Sequence, residues 1–239
     1  MYVVFESERE ITIFYGKYAI LKANFRKFVK TFFYMSSFSP FKELADSLLY
    51  FGISSIKADI LSVEEKWVVP ADLAEDIRFN LIETTYNISE AAICEAIIYP
   101  IIREIWKAFR DRLSLWSHKS LSKKAKDSGI PDYIISKRSP LGKEVMDLPI
   151  LVMIEAKKDD FDGGWAQCVA QLHLAQTLSK NDFRIYGIVS NGDVWQFGYL
   201  EGTILTQHIA PISIENLSKL YNTLYFIFEE CVRQLDEAN

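Results

Sequence analysis

The chain has little of what commonly marks a cofactor site or a covalent staple. Its three cysteines, Cys94, Cys168 and Cys231, are odd in number, widely separated and never spaced CxxC. That leaves no zinc knuckle and no disulfide framework; Cys94 and Cys168 lie in apolar helical patterns and read as small core residues. Histidine is as scarce. His173 and His208 have no Cys or His partner at ligand spacing. His118, between Trp116 and Lys119, reads first as structural or exposed and second as a phosphate contact. No GxSxG, Walker A or GxGxxG pattern occurs, so acyl transfer and nucleotide binding have no local motif. Apolar runs are broken by Glu, Arg or Lys well short of a membrane span, and Met1 to Glu10 lacks a basic start and a long apolar stretch. The expectation is no membrane partner and a reduced cytoplasm.

What is present describes a globular chain. Hydrophobic residues make up 49% and aromatics 14%, enough to build a core and to argue against disorder. The length of 239 residues suits one large domain, or a core with an appendage. A net charge of −5 counts against a protein that coats nucleic acid nonspecifically, while leaving room for a local cationic groove.

Tyr2 to Phe5 and Ile11 to Tyr15 can pair as a short hairpin, and Leu21, Phe25, Phe28 and Phe32 recur near a helical period over Ala19 to Phe33. Phe41 to Tyr50 predicts a helix stopped by Gly52, and Ala71 to Thr84 another after Pro70. We read 1–70 as a mainly helical N-terminal extension and 71–239 as the main domain. Asn87 can cap a helix with Glu90 reaching back, and Pro100 should kink that helix or shift its register. Phe183 to Val189, the Asn191-Gly192 turn and Asp193 to Leu200 read as a hairpin. Trp195, Phe197 and Tyr199 form an aromatic face, more often sheet packing than a platform for bases. Ser213 can cap a last amphipathic helix covering the sheet.

The informative stretch lies between Ile130 and Gln176. Asp132 opens the apolar run Tyr133-Ile134-Ile135, a basic turn follows, and Ile150 to Ile154 leads into Glu155-Ala156-Lys157-Lys158. Two strands are predicted, with Glu155 and Lys157 on one face because strand side chains alternate. Register can set Asp132 beside them. Two such carboxylates supply hard oxygen ligands for Mg²⁺. A neighbouring lysine can orient or deprotonate a water and neutralise phosphate charge. The acidic run Asp159 to Asp162 does not make a calcium loop, since Lys158 and Val169 would fall at ligand positions; it suits a helix start instead. Lys119, Lys123, Lys124, Lys126, Lys137, Arg138, Lys143 and Lys158 surround this stretch, as a phosphate-tracking groove or simply a solvated face.

Pro131-Asp132, then Glu155-Ala156-Lys157, then a Gln-bearing helix, preceded by Ile93 to Ile105 and followed by Tyr186 to Phe197, resembles the PD-(D/E)xK nuclease superfamily. The resemblance covers about the last three-fifths of the chain. It implies an α/β fold of restriction-endonuclease-like type, a mixed central sheet flanked by helices. Asp132 and Glu155 are then expected to hold Mg²⁺, with Mn²⁺ as a substitute, and Lys157 to assist hydrolysis. A helix glutamate completes the site, and Glu95 is preferred over Glu90 by its spacing. Of the glutamines, Gln167 is preferred over Gln171.

The function so implied is metal-dependent hydrolysis of DNA, of restriction or repair type, by a chain able to act as a homodimer. The competing reading is a non-catalytic nucleic-acid-binding or regulatory protein that keeps the nuclease fold.

Overall fold

The computed structural model describes residues 2–7, 10–15, 18–24, 41–61, 63–121, 130–179 and 183–238. The chain divides into two compact units. One comprises Met1–Pro40 with Ser122–Ser128, the other Phe41–Leu121 with Gly129–Asn239.

In the first unit, β1 (Tyr2–Ser7), β2 (Glu10–Tyr15) and β3 (Tyr18–Asn24) form an antiparallel sheet in the order β1-β2-β3. Tyr2 pairs with Phe14 and Phe5 with Ile11, the expected hairpin. The helix read from Ala19 is a strand over its described part: β3 pairs with β2 from Tyr18 opposite Tyr15 to Asn24 opposite Glu10. Pairing with a neighbour overrides a local apolar spacing that merely happens to be near-helical. The remainder of that reading, 25–33, lies outside the described residues.

The second unit is a mixed α/β layer structure. Its eight-stranded sheet runs β4 (Ser54–Ala58), β10 (Ile204–His208), β9 (Val194–Glu201), β8 (Ile185–Ser190), β7 (Ile150–Ala156), β6 (Tyr133–Lys137), β5 (Leu113–Ser117), with β11 (Ile212–Ser213) also paired to β9. This is the mixed sheet flanked by helices that the sequence led us to expect. The strands β5, β6 and β7 form an antiparallel meander, and β7 pairs in parallel with β8. A parallel pair needs a crossover, and the helix α5 (Phe161–Ser179) makes it.

Alternation along the strands sorts the core onto the two faces. Ile135, Ile154, Ala156, Ile188, Trp195 and Phe197 face a cluster that includes Ile97, Ile101, Leu224 and Phe228. Ile134, Met153, Val189 and Leu205 face Trp165, Cys168, Val169 and Leu172 of α5. The first face is covered by α2 (Ala71–Glu83), α3 (Glu90–Ile93), α4 (Tyr99–Phe109) and α6 (Leu217–Glu237), the second by α5 and α1 (Leu44–Phe51). Trp195 and Phe197 are thus packing residues, 0% and 2% exposed.

Caps explain several boundaries. Gly52 ends α1 in the left-handed region at φ 67°, where a Cβ would be strained. Asp160 accepts from the Gly163 N–H at 2.8 Å and Asp162 from the Leu44 N–H at 3.1 Å. The acidic run therefore serves the starts of two helices, as the helix-start reading required. Ser213 caps a short 3₁₀ turn, and Asn216 caps α6 itself by accepting from the Lys219 N–H at 3.1 Å. Among the described residues no helix is long and apolar enough to cross a membrane.

Candidate active site

The antiparallel register of β6 and β7 pairs Tyr133 with Ile154 and Ile134 with Met153. One step further along, Asp132 falls opposite Glu155 at the end of the sheet. Oδ2 of Asp132 accepts the Ala156 N–H at 2.8 Å, so the carboxylate is tied to the strand that carries its partner. Glu155 shares the α5-facing side with Met153 and is 5% exposed. A carboxylate so buried requires compensation; of three residues, Lys157 and Gln171 supply it directly, and Glu90 backs Lys157.

Lys157 is the first. Its Nζ lies 3.2 Å from Oε1 of Glu155 and 3.3 Å from Oε1 of Glu90. Its N–H donates to the Ser190 carbonyl at 2.8 Å, which ties the residue to the end of β8. Gly164, in the first turn of α5, approaches it so closely that an added Cβ would meet Cγ of Lys157 at 2.8 Å and Cγ1 of Val189 at 2.6 Å. The lysine stem is therefore pinned from above by bare backbone.

Glu90 is the second, and it occupies the place expected of Glu95. The helix begins at Glu90 because Ser89, not Asn87, is the cap: its side chain accepts from the Ala92 N–H. Tyr86–Ile88 instead form a 3₁₀ turn. From there α3 passes through a π turn, Cys94–Ile98, into α4. Pro100 explains the irregularity, since it has no N–H to offer the Ala96 carbonyl. The Asn80 side chain supplies that donor at 2.8 Å. In this register Ile93, Cys94, Ile97 and Ile98 are buried while Glu95 is exposed. Glu90 is exposed too, so the contact decides: among the described residues it is Glu90, not Glu95, that pairs with the lysine.

Gln171 is the third. Its Nε2 donates to Oε2 of Glu155 at 3.0 Å, and the residue is 1% exposed. Gln167, one helical turn earlier, is half-buried and is not the residue that meets Glu155.

The electrostatics follow from this packing. Burial pushes Glu155 up to about 7, with Asp132 adding to the rise and Lys157 and Gln171 opposing it. Burial also lifts Asp132 above the ordinary carboxylate range, against the Ala156 N–H, His118 and Lys157. For Lys157, burial pulls downward but Glu155 and Glu90 outweigh it, so its pKa is raised and it is an ammonium group at neutral pH. The Cys94 thiol nearby is pushed up to about 12, chiefly by burial and then by Asp132, which makes it inert as a nucleophile.

The basic residues do not form one group. Lys158 and Lys119 are exposed at the Asp132 end of the strands, with Nζ of Lys119 5.3 Å from the Trp116 ring centroid. Lys137 and Arg138 lie at the opposite end of β6, where the Arg138 N–H meets the Arg112 carbonyl at 2.8 Å. At the rise of a strand that is roughly 16 Å from Asp132. Lys143 is exposed, 3.9 Å from Glu144, and Lys123, Lys124 and Lys126 lie outside the described residues.

Among the described residues no three His, Cys, Asp or Glu side chains gather into a ready-made metal cage. Mg²⁺ does not require one, because it binds one or two carboxylates and completes its shell with water and substrate oxygens. The donors present fit that demand. Asp132 and Glu155 are hard ligands in register, and the raised pKa of Glu155 marks negative charge that a cation would relieve. Buried Oε1 of Gln171 is also without a hydrogen-bond partner.

No protein-family model and no curated protein matches the chain. Among solved structures, the chain is similar to a restriction endonuclease. That protein is the type IIG enzyme BpuSI, with 15% identity, a TM-score of 0.37, 60% of this chain covered and 17% of that one. The match spans under a fifth of the BpuSI chain and is too loose to support any assignment of activity.

Proposed function

We propose that the chain is a metal-dependent nuclease hydrolysing phosphodiester bonds of DNA. The observation that carries this reading is the opposition of Asp132 and Glu155 at one sheet end, with Lys157 held 3.2 Å from Glu155. Asp132 and Glu155 would hold Mg²⁺, with Mn²⁺ as a substitute. When bound, the metal supplies a Lewis acid for a phosphate oxygen and lowers the pKa of a water.

The remaining work belongs to the chain. Lys157, kept protonated by Glu155 and Glu90, acts as a cation rather than a base: it orients the attacking water and offsets charge building on the phosphate. Glu90 fixes the ammonium from the second side. Gln171 fixes Oε2 of Glu155 and Lys157 lies beside Oε1, so the carboxylate would be held in one orientation for the metal. Lys119 and Lys158 sit at the end of the sheet where a DNA backbone would pass.

Cleavage of plasmid and of single-stranded DNA with Mg²⁺ or Mn²⁺, by wild type, Glu155→Gln and Lys157→Ala, tests the proposal. Cleavage by wild type alone is expected. Mn²⁺ binding without cleavage of any form would favour the non-catalytic binding protein instead.

A further inference from the structure

His118 ends β5 in a conformation that L-residues avoid. Its φ is 46°, the one positive value among the described non-glycine residues, in a region that costs any residue with a Cβ and that asparagine, aspartate and histidine enter more often than other side chains. Outliers of this kind persist where the surroundings over-determine them, and the surroundings here are the proposed site. The His118 N–H donates to the Asp132 carbonyl at 2.9 Å, making the two residues cross-strand partners one step beyond Ser117 and Tyr133. The ring turns back onto the same residue, with Nδ1 3.5 Å from Oδ1 of Asp132. That is an ion-pair contact, longer than a formed hydrogen bond, and separations of this kind commonly tighten when a site binds its ligands. The imidazole is 54% exposed and Asp132 only 17%. The histidine therefore lies on the open side of a carboxylate whose other oxygen is already held by the Ala156 N–H.

Resting on the nuclease reading, we propose that His118 is a positioning residue for Asp132. Ala156 holds Oδ2 and His118 holds Oδ1, so that the carboxylate plane, and with it the lone pairs aimed at the point shared with Glu155, has a single orientation. The strained backbone is what places the ring there. A residue that merely turned the chain out of β5 would have no need of a side chain at all.

Three variants separate these roles, read by thermal unfolding, by Mn²⁺ affinity in calorimetry and by cleavage kinetics. His118→Gly removes the ring and the strain together. Its melting temperature should stay level or rise, its Mn²⁺ affinity should fall by about ten- to a hundredfold, as for other partners that orient metal ligands, and kcat should fall while KM for DNA holds. His118→Asn tolerates the same backbone and keeps a donor near the position of Nδ1, so it should stay close to wild type. His118→Ala loses the ring and keeps the strain, so it should match the glycine variant in affinity and unfold at lower temperature. A glycine variant with wild-type affinity and kcat, or an asparagine variant no better than glycine, overturns the inference. If the wild type itself binds no Mn²⁺, the nuclease reading fails first and this inference with it.

Discussion

Gln171 donates its side-chain N–H to Glu155 at 3.0 Å, and through that bond the crossover helix α5 sets the orientation of the most deeply buried carboxylate in the site. Removing the donor leaves an oxygen of Glu155 buried and unserved. Gln171→Ala should therefore destabilise the protein by about 1–3 kcal/mol, and cleavage should fall with it. Gln167→Ala should lie within about 0.5 kcal/mol of wild type. Denaturant unfolding of the two variants side by side checks the assignment; equal effects would remove it.

Glu90 and Glu95 make a second matched pair. Both are exposed, but Glu90 lies 3.3 Å from Lys157, and Glu95 makes no ion pair with that lysine among the described residues. On the nuclease reading Glu90→Gln should lower kcat by about tenfold or more, as expected for a partner of the proposed catalytic lysine. Glu95→Gln should leave kcat unchanged. Steady-state kinetics on one DNA substrate decide between them, and a stronger effect at Glu95 would give that residue, not Glu90, the role beside Lys157.

Gly164 is predicted to be indispensable for steric reasons. The added methyl of Gly164→Ala would meet the Lys157 stem at 2.8 Å and Val189 at 2.6 Å. Overpacking of this kind costs about 1–3 kcal/mol, and the displaced lysine should reduce cleavage more than stability. A variant that folds and cleaves normally would show that Lys157 is not pinned there.

The raised pKa of Glu155 gives a pH dependence with a definite sign. Held near 7 in the folded chain against an ordinary 4.5, the group binds its proton more tightly folded than unfolded. Its contribution to stability is present below about 4.5 and is lost as pH rises through about 7. The metal-free wild type should accordingly lose melting temperature between pH 5 and 8 relative to Glu155→Gln, whose profile should be flatter. Mn²⁺ binding should show the reverse trend, tightening over that interval as the competing proton leaves, with proton release measurable by calorimetry in buffers of different ionisation enthalpy. Affinity independent of pH would exclude Glu155 as a ligand.

Much of the geometry of the candidate site was legible because strands obey a period of two. Asp132, Glu155 and Lys157 needed only two neighbouring strands in register, and Tyr133 to Lys137 and Ile150 to Ala156 supply them. The helix partners were harder. Choosing Glu90 required knowing that Ser89 is the cap and that Pro100 drives a π turn whose freed carbonyl is served by Asn80, a contact from another helix. Choosing Gln171 required an amphipathic pattern on α5, and there is none. Gly164, Cys168, Gln171 and Ala175 are buried, and so are Ala166, Val169 and Ala170, because α1 and the sheet both contribute to the core around this helix. The edge strand β4 reads Ser-Ser-Ile-Lys-Ala with almost every residue exposed, so no alternation betrays it. It takes its place in the sheet through parallel pairing with β10. His118 could have been suspected from its proximity to the strand end, but its left-handed backbone is visible only in the fold.

On the proposed reading Asp132 and Glu155 share one divalent cation beside the Lys157 ammonium. A crystal of the wild-type protein soaked in Mn²⁺, with anomalous data collected at the manganese edge, measures this directly. A peak within bonding distance of carboxylate oxygens from both residues is expected, absent in Glu155→Gln under the same soak. A peak elsewhere on the molecule, or none at a concentration that supports cleavage, would contradict it.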